Sequence, residues 1–160
     1  MMHFVRGIFI VQIKKKKRMK KMTNIKVYID GQAGTTGLKL FDRIKDRPDI
    51  KLLTIDPAKH RDNAERARLI NESDVTFLCL PDAAAIEAVS LIENDHVAVI
   101  DTSTAHRTND SWAYGFAELS AAHRSAIESS SRVANPGCHA SGFIASVCPL
   151  VAKGIIDKAF

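Results

Sequence analysis

The sequence predicts an α/β fold, a parallel sheet covered by helices and followed by the start of a second α/β domain. Three observations carry this. Short runs rich in Val, Ile and Leu alternate with stretches of helical spacing; several of those runs are almost continuously apolar, as strands buried on both faces must be; and a glycine-rich turn joins the first run to the first helix. With 160 residues, 46% hydrophobic and 26% charged, the chain can bury the core of one ordinary domain but leaves little for a second.

Taken in order, IKVYID (25–30) is a β-branched and aromatic run that stops at glycine, hence a strand. GQAGTTG follows, and LKLFDRIKD then repeats apolar residues at Leu38, Leu40, Phe41 and Ile44, a helix that closes before Pro48. IKLLTI is a second strand ending at Asp56, NAERARLIN a second helix, and DVTFLCL a third strand stopped by Pro81. DAAAIEAVSLIEN reads as a helix with Asp82 as its N-cap, and HVAVIDTS as a fourth strand. Beyond Thr102 come a polar stretch, a short AYGFAELS, a helix around 121–130 and a short strand RVANP. Gly137 can make a sharp turn into a last helix from about Cys138 to Lys153, which Pro149 is expected to kink or end early.

The net charge of +5 would suggest a nucleic-acid partner if it were spread over a folded face. Instead residues 1–21 hold eight basic residues and no acidic one, while residues 22–160 carry 15 basic against 18 acidic. Purine-rich codons of an upstream ribosome-binding site would encode such a run. Residues 1–21 are therefore expected to be a non-native or disordered extension, with translation starting at Met19 or Met22. The apolar GIFIVQI is too short to span a bilayer and precedes the charges, opposite to a secretory signal. No membrane or nucleic-acid partner is expected. Three cysteines without CxxC spacing argue against a disulfide framework or a zinc site and fit a reducing cytoplasm.

The turn between first strand and first helix carries Gly31, Gly34 and Gly37, where backbone N–H groups and the helix dipole can hold a pyrophosphate; Thr35 and Thr36 can add hydroxyl contacts. The spacing GxxGxxG departs from the common GxGxxG, and a tight turn without ligand is the other reading. Asp56, 19 positions after Gly37, suits the ribose 2′-OH of NAD, whereas Lys59, His60 and Arg61 suit the 2′-phosphate of NADP. The sequence argues both ways, and a solvated loop explains either set. Cys138 falls at the first turn of a helix, where a thiolate is favoured and neighbouring amides can stabilise an oxyanion. Its residues alone leave nucleophile and buried cysteine equally open. Cys79, inside FLCLP, reads as sheet core, and Cys148 as mid-helix. His60, His96, His106 and His123 share no metal-ligand spacing and read as surface or capping residues, so no metal is expected.

Five segments in order, VYIDGQAGTTGLKL, VTFLCLPDAAA, VIDTSTAHR, WAYGFAEL and NPGCHASG, resemble the short-form N-acetyl-γ-glutamyl-phosphate reductases of arginine biosynthesis, relatives of the aspartate-semialdehyde dehydrogenases. The resemblance covers the N-terminal half of such an enzyme, from about Met22. It implies a Rossmann-like NAD(P)-binding domain over 22–134 and the first part of a catalytic domain over 135–160. It also implies NADPH as cofactor, a small acyl-phosphate substrate, a homo-oligomer at full length and a cytoplasmic location. By resemblance Cys138 attacks the acyl phosphate to form a thioester, residues 31–37 and Ser103 serve the cofactor, and Arg107 binds substrate phosphate or carboxylate. The family's general base is a histidine from a later segment, so this chain is expected to be incomplete and to turn over negligibly alone. The family usually has an aromatic–proline pair after the cysteine and a proline in YGFPEL; here His139, Ala140 and Ala117 stand there. His139 is not expected to serve as base, because consecutive helical residues point about 100° apart. An aspartate-semialdehyde dehydrogenase or a non-catalytic dinucleotide-binding remnant are the alternatives.

Overall fold

The computed structural model describes residues 24–157; the basic extension expected over 1–21 lies outside them. Six strands form one wholly parallel sheet in the order β2-β1-β3-β4-β6-β5, with β1 Ile25–Asp30, β2 Ile50–Leu53, β3 Val75–Leu78, β4 Ala98–Asp101, β5 Ala113–Tyr114 and β6 Arg132–Ala134. The helices are α1 Thr35–Ile44, α2 Asn63–Glu72, α3 Asp82–Ser90, α4 Ala121–Ser129 and α5 Cys138–Ala152.

Alternation along β1 sets the two faces. Ile25, Val27 and Ile29 pack with Leu40 and Ile44 of α1 and Ile127 of α4. Tyr28 points the other way, into a cluster with Leu69 and Ile70 of α2 and Ala85 and Ala88 of α3. A sheet buried on both sides explains why β3 and β4 are apolar without a break: all four residues of each are buried. Each fully buried Val or Ile contributes about 1.5–3 kcal/mol, which is the principal stabilisation of the sheet.

Several expectations change. The second strand ends at Leu53, and Asp56 instead caps a short 3-10 turn, Pro57–Lys59, by accepting the Ala58 N–H. Pro81 is the N-cap of α3; Asp82 is its first residue, and its carboxylate accepts from the Thr104 N–H and hydroxyl across the loop after β4. Pro149 does not end α5, which runs three residues further to Ala152; it sits in the last turn, where the helix loses only the one N–H that proline lacks. His106 is a core residue and not a surface one, for the reason given below. Among the described residues no helix is long and apolar enough to cross a membrane.

Candidate active site

In a parallel sheet ligands bind beyond the carboxyl ends of the strands, where neighbouring strands lead their chains to opposite sides. Here that point lies between β1 and β3. A cleft of about 790 Å³ opens there, lined by Gly31, Gln32, Leu38, His60, Arg61 and Leu80 among others. Gly31 has φ +83°, and a Cβ on it would lie 2.3 Å from the Cys79 carbonyl oxygen. A Cβ on Gly37 would lie 2.3 Å from the Gly31 carbonyl oxygen. Both glycines are thus required for the loop to pass between β3 and α1. Gly34 is the N-cap of α1 and offers no side-chain cap, so the first N–H groups of the helix are left for a ligand. Gly31→Ala is expected to destabilise the fold by about 2–5 kcal/mol, adding left-handed backbone strain to overpacking, read from the urea midpoint.

The cleft floor is ionic. Arg66 of α2 donates through Nε and Nη2 to Asp30 Oδ2 (3.1 and 3.0 Å) and through Nη1 to Asn63 Oδ1 (2.8 Å) and Glu87 Oε2 (3.0 Å). The Arg66 and Asp30 side chains are 7% and 5% exposed. Burial disfavours the guanidinium, but the hydrogen bonds and charges of Asp30 and Glu87 outweigh it and hold it more firmly protonated. Burial, then the Asp30 charge, raises the Tyr28 phenol well above its ordinary range.

A second constellation lies at the ends of β4 and β6. Asp101 is fully buried and accepts from the Ser103 N–H (2.9 Å) and hydroxyl (2.7 Å), and its Oδ2 lies 2.7 Å from His106 Nδ1. The His106 ring stacks on Trp112 at 4.1 Å between centroids, which is why it is core. The Asp101 carbonyl takes the Asn135 N–H at 2.7 Å, tying β4 to the turn Asn135–Gly137. Arg107 spans the same turn: Nε donates to Asn135 O (3.0 Å) and Nη2 to Thr102 O (3.2 Å). A Cβ on Gly137 would come within 2.6 Å of Arg107 Nη1, so glycine lets the guanidinium lie flat on the turn. The turn delivers Cys138, exposed, as the first residue of α5, with Sγ 3.8 Å from His139 Nδ1. Asn135 Oδ1 is buried without a hydrogen-bond partner.

Residues 26–128 match the family described as semialdehyde dehydrogenase, NAD binding domain. The chain belongs to the semialdehyde dehydrogenase family. It is 49% identical over 139 residues to N-acetyl-gamma-glutamyl-phosphate reductase of Trichormus variabilis, covering 87% of this chain and 43% of that protein. To the enzyme of the same name from Burkholderia ambifaria it is 48% identical over 134 residues, covering 84% and 42%. The chain therefore spans less than half the length of these relatives. Among solved structures, aspartate semialdehyde dehydrogenase from Francisella tularensis superposes with TM-score 0.60 at 16% identity, over 81% of this chain and 41% of that one. The Candida albicans enzyme with NADP gives 0.57 at 15%, over 81% and 47%. At such identities these structures speak for the fold alone.

In this semialdehyde dehydrogenase domain the expected residues fall into two groups. Gly31 lines the cleft, and Gly34, Thr35 and Thr36 form the entry to α1. Ser103 is buried, with its hydroxyl turned to Asp101, so its part is to hold the β4 loop. Arg107 has two of its three nitrogens committed to backbone carbonyls, which makes it first a brace of the Cys138 turn. Asp56 is spent as a cap and does not line the cleft, whereas His60 and Arg61 do. Among the described residues no cluster of three or more His, Cys, Asp or Glu could hold a metal.

Sequence reasoning missed Arg66, Asp101 and His106. A signal for Arg66 was present: it lies three and four residues before Leu69 and Ile70, on the same buried face of α2, and the buried strand end Asp30 needs a cation. The two other cysteines differ from Cys138 and from each other. Cys148 is exposed, while burial pushes the Cys79 thiol up to about 12. Cys79 is therefore expected to stay unreactive to iodoacetamide up to about pH 10 and to label only on unfolding, as peptide-resolved mass spectrometry would show.

Proposed function

We propose that this chain is the cofactor-binding and nucleophile-bearing part of an NADPH-dependent reductase that converts N-acetyl-γ-glutamyl phosphate to the semialdehyde with release of phosphate. The observation that carries this is one sheet edge holding both the glycine turn after β1 and Cys138 after β6. β6 stands three places from β1, about 14 Å across the sheet. That separation suits an extended dinucleotide with its pyrophosphate over α1 and its reactive ring toward Cys138.

The residues present fit the cofactor. The glycine loop is the close approach a pyrophosphate needs, and Gly31 and Gly37 cannot carry side chains there. His60 and Arg61 line the cleft where Asp56 is turned away, which favours a 2′-phosphate over a bare ribose hydroxyl. Bound NADPH would supply a hydride. In acyl transfer Cys138 Sγ bonds the acyl carbon, the carbon–oxygen bond to phosphate breaks, and phosphate leaves. Arg107 keeps the turn rigid while this occurs, and its Nη1, against Gly137, lies nearest the nucleophile's own turn.

Stoichiometric phosphate release from N-acetyl-γ-glutamyl phosphate, with acylation of the residue-138 peptide, tests the reading. Neither acylation nor NADPH binding would overturn it. Arg61→Ala is expected to weaken NADPH by about 10- to 100-fold, the value of charge-assisted hydrogen bonds, and to leave NADH within about twofold. Fluorescence titration of both cofactors reads the difference.

A further inference from the structure

We propose that Asp82 is a positioning residue that ties the cofactor cleft to the turn bearing Cys138, through Thr104 and Arg107; this rests on the proposed dinucleotide site between β1 and β3. The loop after β4 is gripped from several sides. Inside, Asp101 holds Ser103 and His106, both residues of that loop. At its root, Thr102 donates through its N–H and hydroxyl to Leu78 O of β3 (3.0 and 2.9 Å). Its outer half is held from α3, where the Asp82 carboxylate accepts the Thr104 N–H at 2.8 Å and, on its other oxygen, the Thr104 hydroxyl.

Both ends of this last tie lead to the site. Pro81, with its fixed φ, leads into α3, and Leu80 and Ala84 on either side of Asp82 line the cleft although Asp82 does not. At the other end Thr104 O accepts the Arg107 N–H at 3.3 Å, closing a turn, and Arg107 Nε continues to Asn135 O, three residues before Cys138. Each step from the cleft wall to the nucleophile's turn is thus a covalent bond or a hydrogen bond. The hydrogen bonds from Thr104, with the Arg107 charge adding to them, hold the Asp82 carboxyl below the usual carboxylate range, so the tie is anionic at neutral pH. Asp82 and Thr104 are both exposed, and a surface contact of this kind contributes little to folding. A reacting group displaced by about 1 Å, by contrast, loses on the order of 100-fold in rate. Asp82 therefore serves alignment more than stability.

The readout is alkylation of Cys138 by iodoacetamide, in which the Sγ–carbon bond forms, iodide leaves and the thiol proton passes to water. Peptide-resolved rates are taken near neutral pH with and without saturating NADP+; the exposed Cys148 is the reference thiol, and labelling of Cys79 reports unfolding. In the unaltered protein NADP+ is expected to slow Cys138 about fivefold or more relative to Cys148, because the proposed site brings its reactive ring to the thiol. In Asp82→Ala the slowing should fall below about twofold, while calorimetric NADP+ affinity stays within about threefold. Thr104→Ser, which keeps both donors, should match the unaltered protein, and Thr104→Val, which keeps only the N–H, should fall between. Adding Thr104→Val to Asp82→Ala should change nothing further, since both bonds are already gone. Thr104→Val also leaves α3 intact, so it carries the same comparison if Asp82→Ala labels Cys79. Equal protection in the unaltered protein and in both single variants, or protection in none of them, would overturn this inference alone. Absence of NADP+ binding by the unaltered protein would overturn the functional reading and this inference with it.

Discussion

Arg66→Ala is expected to lower the unfolding free energy by about 3–5 kcal/mol, because it strands the Asp30 carboxylate in the floor of the cleft without its cation. Two donors from Arg66 reach a single Asp30 oxygen, and both side chains are almost fully buried. Glu87, on the other side of the guanidinium, is about half exposed and can turn to water, so its loss contributes little. For a domain of this size the melting temperature should fall by about 10 °C or more. Denaturant unfolding checks the value. Arg66→Met with Asp30→Asn should recover much of the loss, since removing both charges leaves no buried ion unpaired. A single-mutant loss below about 1 kcal/mol would mean that the cleft floor admits water freely. The cofactor should weaken in parallel, because Asp30 is the strand end from which the glycine loop departs and Arg66 lines the same cleft.

Cys138→Ser is expected to reduce acyl transfer by at least about 10³-fold, read both as acylation of the residue-138 peptide and as phosphate release. A hydroxyl keeps the turn and the helix start but replaces the sulfur nucleophile with a weaker oxygen one. NADPH affinity should change by less than about twofold, since the cleft lies at β1 and β3. A serine variant that retains a tenth of the rate would exclude a thioester.

The regular elements were legible because they rest on short-range patterns. β1 begins and ends where its apolar run places it, α1 starts three residues before Leu38, within the glycine segment, and ends at Ile44, two residues short of Asp46, and the start of α5 at Cys138 follows from the Pro136–Gly137 turn. Local patterns misled where a side chain had a distant partner. Leu38 shares the helical spacing of Leu40 and Ile44 but is 52% exposed, at the mouth of the cleft, because the apolar stripe of α1 is narrower than its hydrophobic count. Asp82 looked like a cap and is a strut to Thr104; Asp56 looked like a ribose ligand and is a cap.

By itself the sequence determined the alternation of strand and helix, the glycine turn after the first strand, and a cysteine at the head of a helix. Each depends on residues within one or two turns of one another. Only the tertiary structure decided that β1 lies between β2 and β3, that the loops after β1 and β6 share one edge, and which side chains support them. Arg66 meets Asp30 across 36 residues and Arg107 meets Asn135 across 28. Such pairs are set by the order in which strands join the sheet and the face each helix crosses, and no local spacing encodes either.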